Sequence, residues 1–256
     1  MDQIPVLERA LRRDRFVVLA GVAGVVLLGW AYLIAGAGID MSMAGMAMDP
    51  MPWSASYALV IFAMWCIMMI VMMLPSAAPM VLLFTTIKRK QEASRASAVG
   101  AGIFLLGYLA VWMAFSLVAT LAQWALEGAG LIAMGSGGSA VLAGGILLAA
   151  GLYQFTPLKA VCLRHCQNPV VFLSSHWRPG AAGAFRMGAL HGSYCLGCCW
   201  FLMALLFVGG VMNLIWVAGI AIYVALEKML PAGPWLSRAA GATLAALGAF
   251  VLLRII

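Results

Sequence analysis

The stretch His191-Gly-Ser-Tyr-Cys195-Leu-Gly-Cys198-Cys199-Trp200 puts one imidazole and three thiols within nine residues. On a helix, Cys195 falls about 40° from His191 around the axis and Cys198 about 20° to the other side, at about 100° per residue. His191, Cys195 and Cys198 then share one face, with Cys199 at its margin. One buried cysteine behaves as a small hydrophobe. Three cysteines beside a histidine are harder to assign to packing, because an ionisable group in an apolar span is costly unless it is used. Soft thiolates with imidazole suit Cu(I), zinc or an iron–sulfur centre.

A second thiol pair, Cys162 and Cys166, stands four residues apart just after Pro157. A helix there brings both to one face, and Pro157 marks a break before it. His165 falls off that face, and His176 reads as a solvated loop residue. Methionine separates the metals. Met41, Met43, Met46, Met48 and Met51 fill a polar segment with thioethers, which favour Cu(I) and serve zinc and iron–sulfur centres poorly. Farther on, Cys66, Met69, Met73 and Met80 fall within an arc of about 60° on a helix, where methionine is also ordinary core filler. Asn213 and Glu227 share a helix face about 21 Å apart. They are candidates for a polar or proton-handling role, with Glu227-Lys228 expected at a membrane interface. Gln154 reads as an interhelical hydrogen-bonding residue.

The elements that position these groups follow from composition. The chain has 256 residues, 65% hydrophobic and 9% charged, with mean hydropathy +1.06. A soluble domain carries about a quarter charged residues, so a soluble enzyme, a disordered regulator and a nucleic-acid-binding module are excluded. The net charge of +7 lies in short clusters between apolar runs, the pattern that orients a membrane protein rather than one that grips nucleic acid.

A spanning helix needs about 20 apolar residues. Seven stretches qualify: Phe16–Ala37, Tyr57–Leu74, Ala98–Leu121, Ser139–Phe155, Ala189–Val208, Val211–Leu226 and Leu236–Ile256. The fifth and sixth are divided at Gly209-Gly210, since one helix through both would be about 60 Å long. With seven spans, fourteen of the fifteen basic residues fall on one side, Arg254 excepted. The expectation is an all-α, seven-helix polytopic protein of a bacterial plasma (inner) membrane, N-terminus inside and C-terminus outside. Residues 1–15 form a cytoplasmic amphipathic segment, and the first span shows no signal-peptide cleavage site. Residues 16–256 form one membrane domain, with the methionine loop 38–56 outside and a cysteine-containing loop 157–188 in the cytoplasm. There the thiols stay reduced. Gly138, Gly144, Gly145 and Gly151 permit close packing of the fourth span.

Several motifs together resemble a known family. They are Trp65-Cys-Ile-Met-Met-Ile-Val-Met-Met-Leu-Pro75, Tyr153-Gln154-Phe-Thr-Pro157-Leu-Lys159 with Cys162 and Cys166, Cys195-Leu-Gly-Cys198-Cys199-Trp200, Met212-Asn213-Leu and Glu227-Lys228-Met-Leu-Pro231. The chain resembles, over about residues 60 to 235, the DUF2182 family of predicted metal-binding integral membrane proteins. That resemblance implies metal binding and carries no established reaction. The reading is a copper-handling membrane protein that takes Cu(I) at the outer methionines. It holds or passes the ion at Cys195, Cys198 and Cys199, with His191, Cys162 and Cys166 completing the site. Transport, storage and delivery to a membrane metalloenzyme or a metallochaperone all remain open. No ATP-binding motif is present. A membrane thiol–disulfide oxidoreductase using Cys195 and Cys198, and a metal-stabilised accessory subunit of a larger membrane complex, are the alternatives.

Overall fold

The computed structural model describes residues 3–37, 53–91, 94–132 and 138–255. Met41, Met43, Met46, Met48 and Met51 lie outside the described residues. The described residues form ten helical segments and no strand: α1 (Gln3–Ile34), α2 (Ala55–Gln91), α3 (Ser94–Gly128), α4 (Ala140–Tyr153), α5 (Pro157–Gln167), α6 (Pro169–His176), α7 (Gly180–Ala204), the single turn α8 (Leu206–Gly209), α9 (Leu214–Met229) and α10 (Gly233–Leu253). Five of the helices, α1, α2, α3, α7 continued through α8, and α10, are long and apolar enough to cross a membrane. A sixth span results if α4 and α5, bent by 67° at their junction, are taken together. Each of the seven apolar stretches is helical over most of its length, but α4 has 14 residues and α9 only 16.

Several boundaries differ from expectation. The second span does not stop at Leu74: α2 runs 37 residues, with Pro75 and Pro79 inside it. Proline removes a helical N–H, and membrane helices tolerate this where neighbouring groups satisfy the freed backbone. Pro75 and Pro79 free the carbonyls of Val71 and Pro75, and in the same turns the hydroxyls of Ser76 and Tyr108 both donate to the Met73 carbonyl, at 2.8 and 3.2 Å. Segment 157–188 is largely helical, made of α5, α6 and the first turns of α7. Pro157 and Pro169 each occupy the first turn of a helix, where the missing N–H costs nothing. Residues 3–15 continue into α1 as one helix. The break between α7 and α9 does fall at the glycine pair, with Gly210 at φ +88°, a conformation glycine adopts freely.

Helix α7 lies at the centre, against α3, α5, α4 and α9. Its contact with α3 is backbone on backbone. A Cβ on Gly188 would overlap the Phe104 carbonyl, and one on Gly107 would overlap that of Phe185. A second glycine seam joins α4 to α10 through Gly144, Gly151, Gly241 and Gly248. Gly144 and Gly151 thus serve the close packing expected of them, whereas a Cβ on Gly145 would meet open space. At one end of the bundle a polar chain fastens α2 to α3. The Trp53 indole donates to Glu127 at 2.9 Å, Gln123 donates to the same carboxylate at 2.8 Å, and the Trp65 indole donates to Gln123 at 2.8 Å.

Candidate metal centre

The interior between α2, α7 and α9 is built from sulfur. His191, Cys195, Cys198 and Cys199 all lie on the buried side of α7, and Met69 and Met73 on that of α2. Burial in low dielectric raises the cost of any polar group left unpaired, so each partner matters. The Cys198 and Cys199 thiols both donate to the Cys195 carbonyl, at 3.1 and 3.0 Å. The Cys199 thiol also approaches the Met73 sulfur at 3.9 Å. Cys195 Sγ lies 3.1 Å from the Tyr108 hydroxyl.

Into this cluster α9 sends a cation. Lys228 Nζ is 2.9 Å from Cys195 Sγ, 3.6 Å from Cys199 Sγ and 3.8 Å from Met73 Sδ. Glu227-Lys228 does not mark an exposed interface, since both side chains are buried. Consecutive residues on a helix point about 100° apart, so the two enter different environments. Glu227 pairs with Lys159 of α5 at 2.8 Å and accepts from Tyr223 and Ser237 as well. Lys159 donates in addition to the Cys198 carbonyl at 2.9 Å. This ion pair ties α5 and α9 to the thiol-bearing turn of α7.

The second thiol pair packs against the same turn. Cys166 packs against the buried cluster that contains Cys195 and Cys198. Cys162 rests against Gly197, where an added Cβ would come within 2.7 Å of its sulfur. The α-helical spacing of Cys162 and Cys166 therefore delivers both to α7. Cys66 is half-buried on α2. All six cysteines are free thiols.

The histidines divide. His191 is surrounded by rings, with Phe172 at 5.4 Å, Tyr108 at 5.7 Å and Phe104 at 6.2 Å between centroids. Its buried Nδ1 has no hydrogen-bond partner. His165 stacks on Tyr194 at 4.1 Å, and His176 on Phe172 at 5.0 Å. Asn213 is exposed and caps α9, accepting from the Trp216 amide at 3.2 Å. Both amide atoms of Gln154 are buried without a partner.

Among the described residues no three His, Cys, Asp or Glu side chains are arranged as a metal site on their own. The donor set that converges is of another kind: two thiols and a thioether around one ammonium. Residues 62–251 match the PpoB2 family, described as a copper chaperone. The chain belongs to that family. Its copper association agrees with the weight given to methionine in the sequence, under a family name other than the one its motifs resemble. No curated protein and no solved structure matches the chain. For a copper chaperone family the donor chemistry fits, because thiolate and thioether are the ligands that select Cu(I).

Sequence reasoning missed Lys228, Lys159 and Tyr108 as parts of this centre. The signal for Lys228 was a charge one residue from Glu227, which reads as an interface pair until the helix is placed.

Proposed function

We propose that the chain acquires Cu(I) at the methionine loop and holds it at Met73, Cys195 and Cys199, for transfer to a membrane metalloenzyme or a metallochaperone. Cys198, Cys166, Cys162 and His191 surround that position and supply alternative donors. In this reading the protein crosses a bacterial inner membrane seven times, N-terminus inside, with α4 and α9 as short spans. The thiols then lie in the inner half, where they stay reduced, and the methionine loop faces the outside, where thioethers withstand oxidation better than thiols.

The observation that carries the reading is the convergence of three sulfurs on the Lys228 ammonium. A monovalent cation already occupies the point at which Cu(I) would find soft donors. Ligand exchange among several such donors holds an ion without making its release too slow.

The test is metal analysis of the purified protein, with X-ray absorption to identify the donors. Cu(I) in a sulfur-dominated shell is expected, about one ion per chain. Replacing Cys195 and Cys199 together by Ser should remove most of that copper while leaving the protein in the membrane, since serine keeps the shape and lacks the soft donor. Undiminished copper in the folded double variant would overturn the assignment.

A further inference from the structure

The thiol cluster is one section of a longer series. Met187, His191, Cys195, Cys199 and Met203 occupy every fourth position of α7. Each is exposed by 2% or less. Four residues advance about 6 Å along a helix and turn the stripe by about 40°, so the five donors form a track about 24 Å long that winds about 160° round α7. That is most of the hydrocarbon thickness of a bilayer, about 30 Å. Helix α2 carries Met64, Met68 and Met72 at the same four-residue step and Met80 two steps farther on, past Ser76, with Met69 and Met73 beside them, all buried.

A direct contact joins the two helices at the middle, and α8 and a shared buried cluster relate them at the two ends. At one end the Trp65 and Phe207 rings meet at 5.3 Å, next to Met64 and one turn beyond Met203. In the middle Cys199 approaches Met73 at 3.9 Å. At the other end Met80 and Met187 lie in one buried cluster with Phe84, Phe104 and Phe172. Between the middle and that end stands His191, with its orphaned Nδ1. A buried polar atom without a partner calls for an explanation. A soft cation passing along α7 provides one.

We propose that the protein moves Cu(I) along this track, from the Met64–Met203 end through Cys199 and Cys195 to His191 and on to Met187 and Met80. The inference rests on the copper reading above and extends it: the thiol cluster becomes a midway station instead of a terminus. Each step exchanges one soft neutral or thiolate donor for another about 6 Å away, with no change in oxidation state. Lys228 enters the track at the middle level, and its flexible stem lets the ammonium withdraw while the ion passes. The start of the track adjoins Trp65, which is linked through Gln123 and Glu127 to Trp53 at the edge of the methionine-rich segment.

The experiment uses the full chain in sealed vesicles containing a Cu(I)-sensitive chelating dye, with Cu(I) supplied outside under ascorbate. The wild-type protein should fill the vesicles at least tenfold faster than protein-free vesicles. Replacing Met80 and Met187 by Leu keeps volume and apolarity and leaves the thiol cluster intact. This variant should bind the same amount of copper yet lose at least tenfold in the filling rate. His191→Leu should show the same loss, and His191→Met, which restores a soft donor, should recover transfer. Wild-type protein that binds copper but does not fill the vesicles overturns the track while leaving the copper reading in place. Failure of the wild type to bind copper overturns both. Equal filling by the Met80/Met187 variant overturns the track in that half of the molecule.

Discussion

Lys159 and Lys228 are both buried in the same bundle, and they are held in opposite ways. Lys159 has a carboxylate at 2.8 Å and a carbonyl at 2.9 Å, and the carboxylate is further satisfied by Tyr223 and Ser237. The partners of Lys228 among the described residues are sulfur atoms. The first arrangement is closed, because displacing Lys159 would strand Glu227 as an unpaired anion in low dielectric. The second is open to exchange, since thiols can be neutral and thioethers always are. A hard, fully bonded ion pair builds the bundle; a cation among soft donors keeps a place that another cation can take.

The largest effect is expected from Lys159→Met. It leaves Glu227 buried without its counter-charge, a loss of about 3–5 kcal/mol, read as a steep fall in thermal unfolding temperature in detergent. Adding Glu227→Met should restore much of it. Lys228→Leu should cost the fold far less, while tightening Cu(I) binding about tenfold and slowing transfer to a competing chelator. Should Lys228→Leu unfold the protein as Lys159→Met does, or leave copper affinity unchanged, the two lysines serve the same purpose. The smallest effect belongs to Ser237→Ala. One hydrogen bond to Glu227 goes, about 1–2 kcal/mol, and copper binding should not change because Lys159 and Tyr223 still hold the carboxylate.

How much of this was legible beforehand differs by feature. The apolar stretches and the break at Gly209-Gly210 were readable, because hydropathy and glycine act locally. The extension of α2 through Pro75 and Pro79 was not, since a proline reads locally as a helix end and only the packing of the bundle carries the helix past it. The shared face of His191, Cys195 and Cys198 follows from helical spacing alone. The convergence of Cys166 on that face needs the 67° turn between α4 and α5, an angle no spacing rule specifies. The four-residue step through Met187 and Met203 was present in the letters. It carried no weight until burial separated these methionines from the others of the chain, 18 in all. Asn213, read as a candidate for a polar or proton-handling role, caps α9.

The glycines between α7 and α3 have a consequence for how the centre works. Gly188 against Phe104, and Gly107 against Phe185, seat α7 on α3 with no side chain between the backbones. Such a joint has no slack, so sliding or tilting α7 would drive main chain into main chain. Around the thiols stand long, unbranched methionines and one lysine, groups that change shape by rotating single bonds. Loading is therefore a local side-chain event. The amide hydrogen-exchange pattern of α3 and α7 should be nearly the same with and without copper, while the signals of Met73 and Lys228 should change.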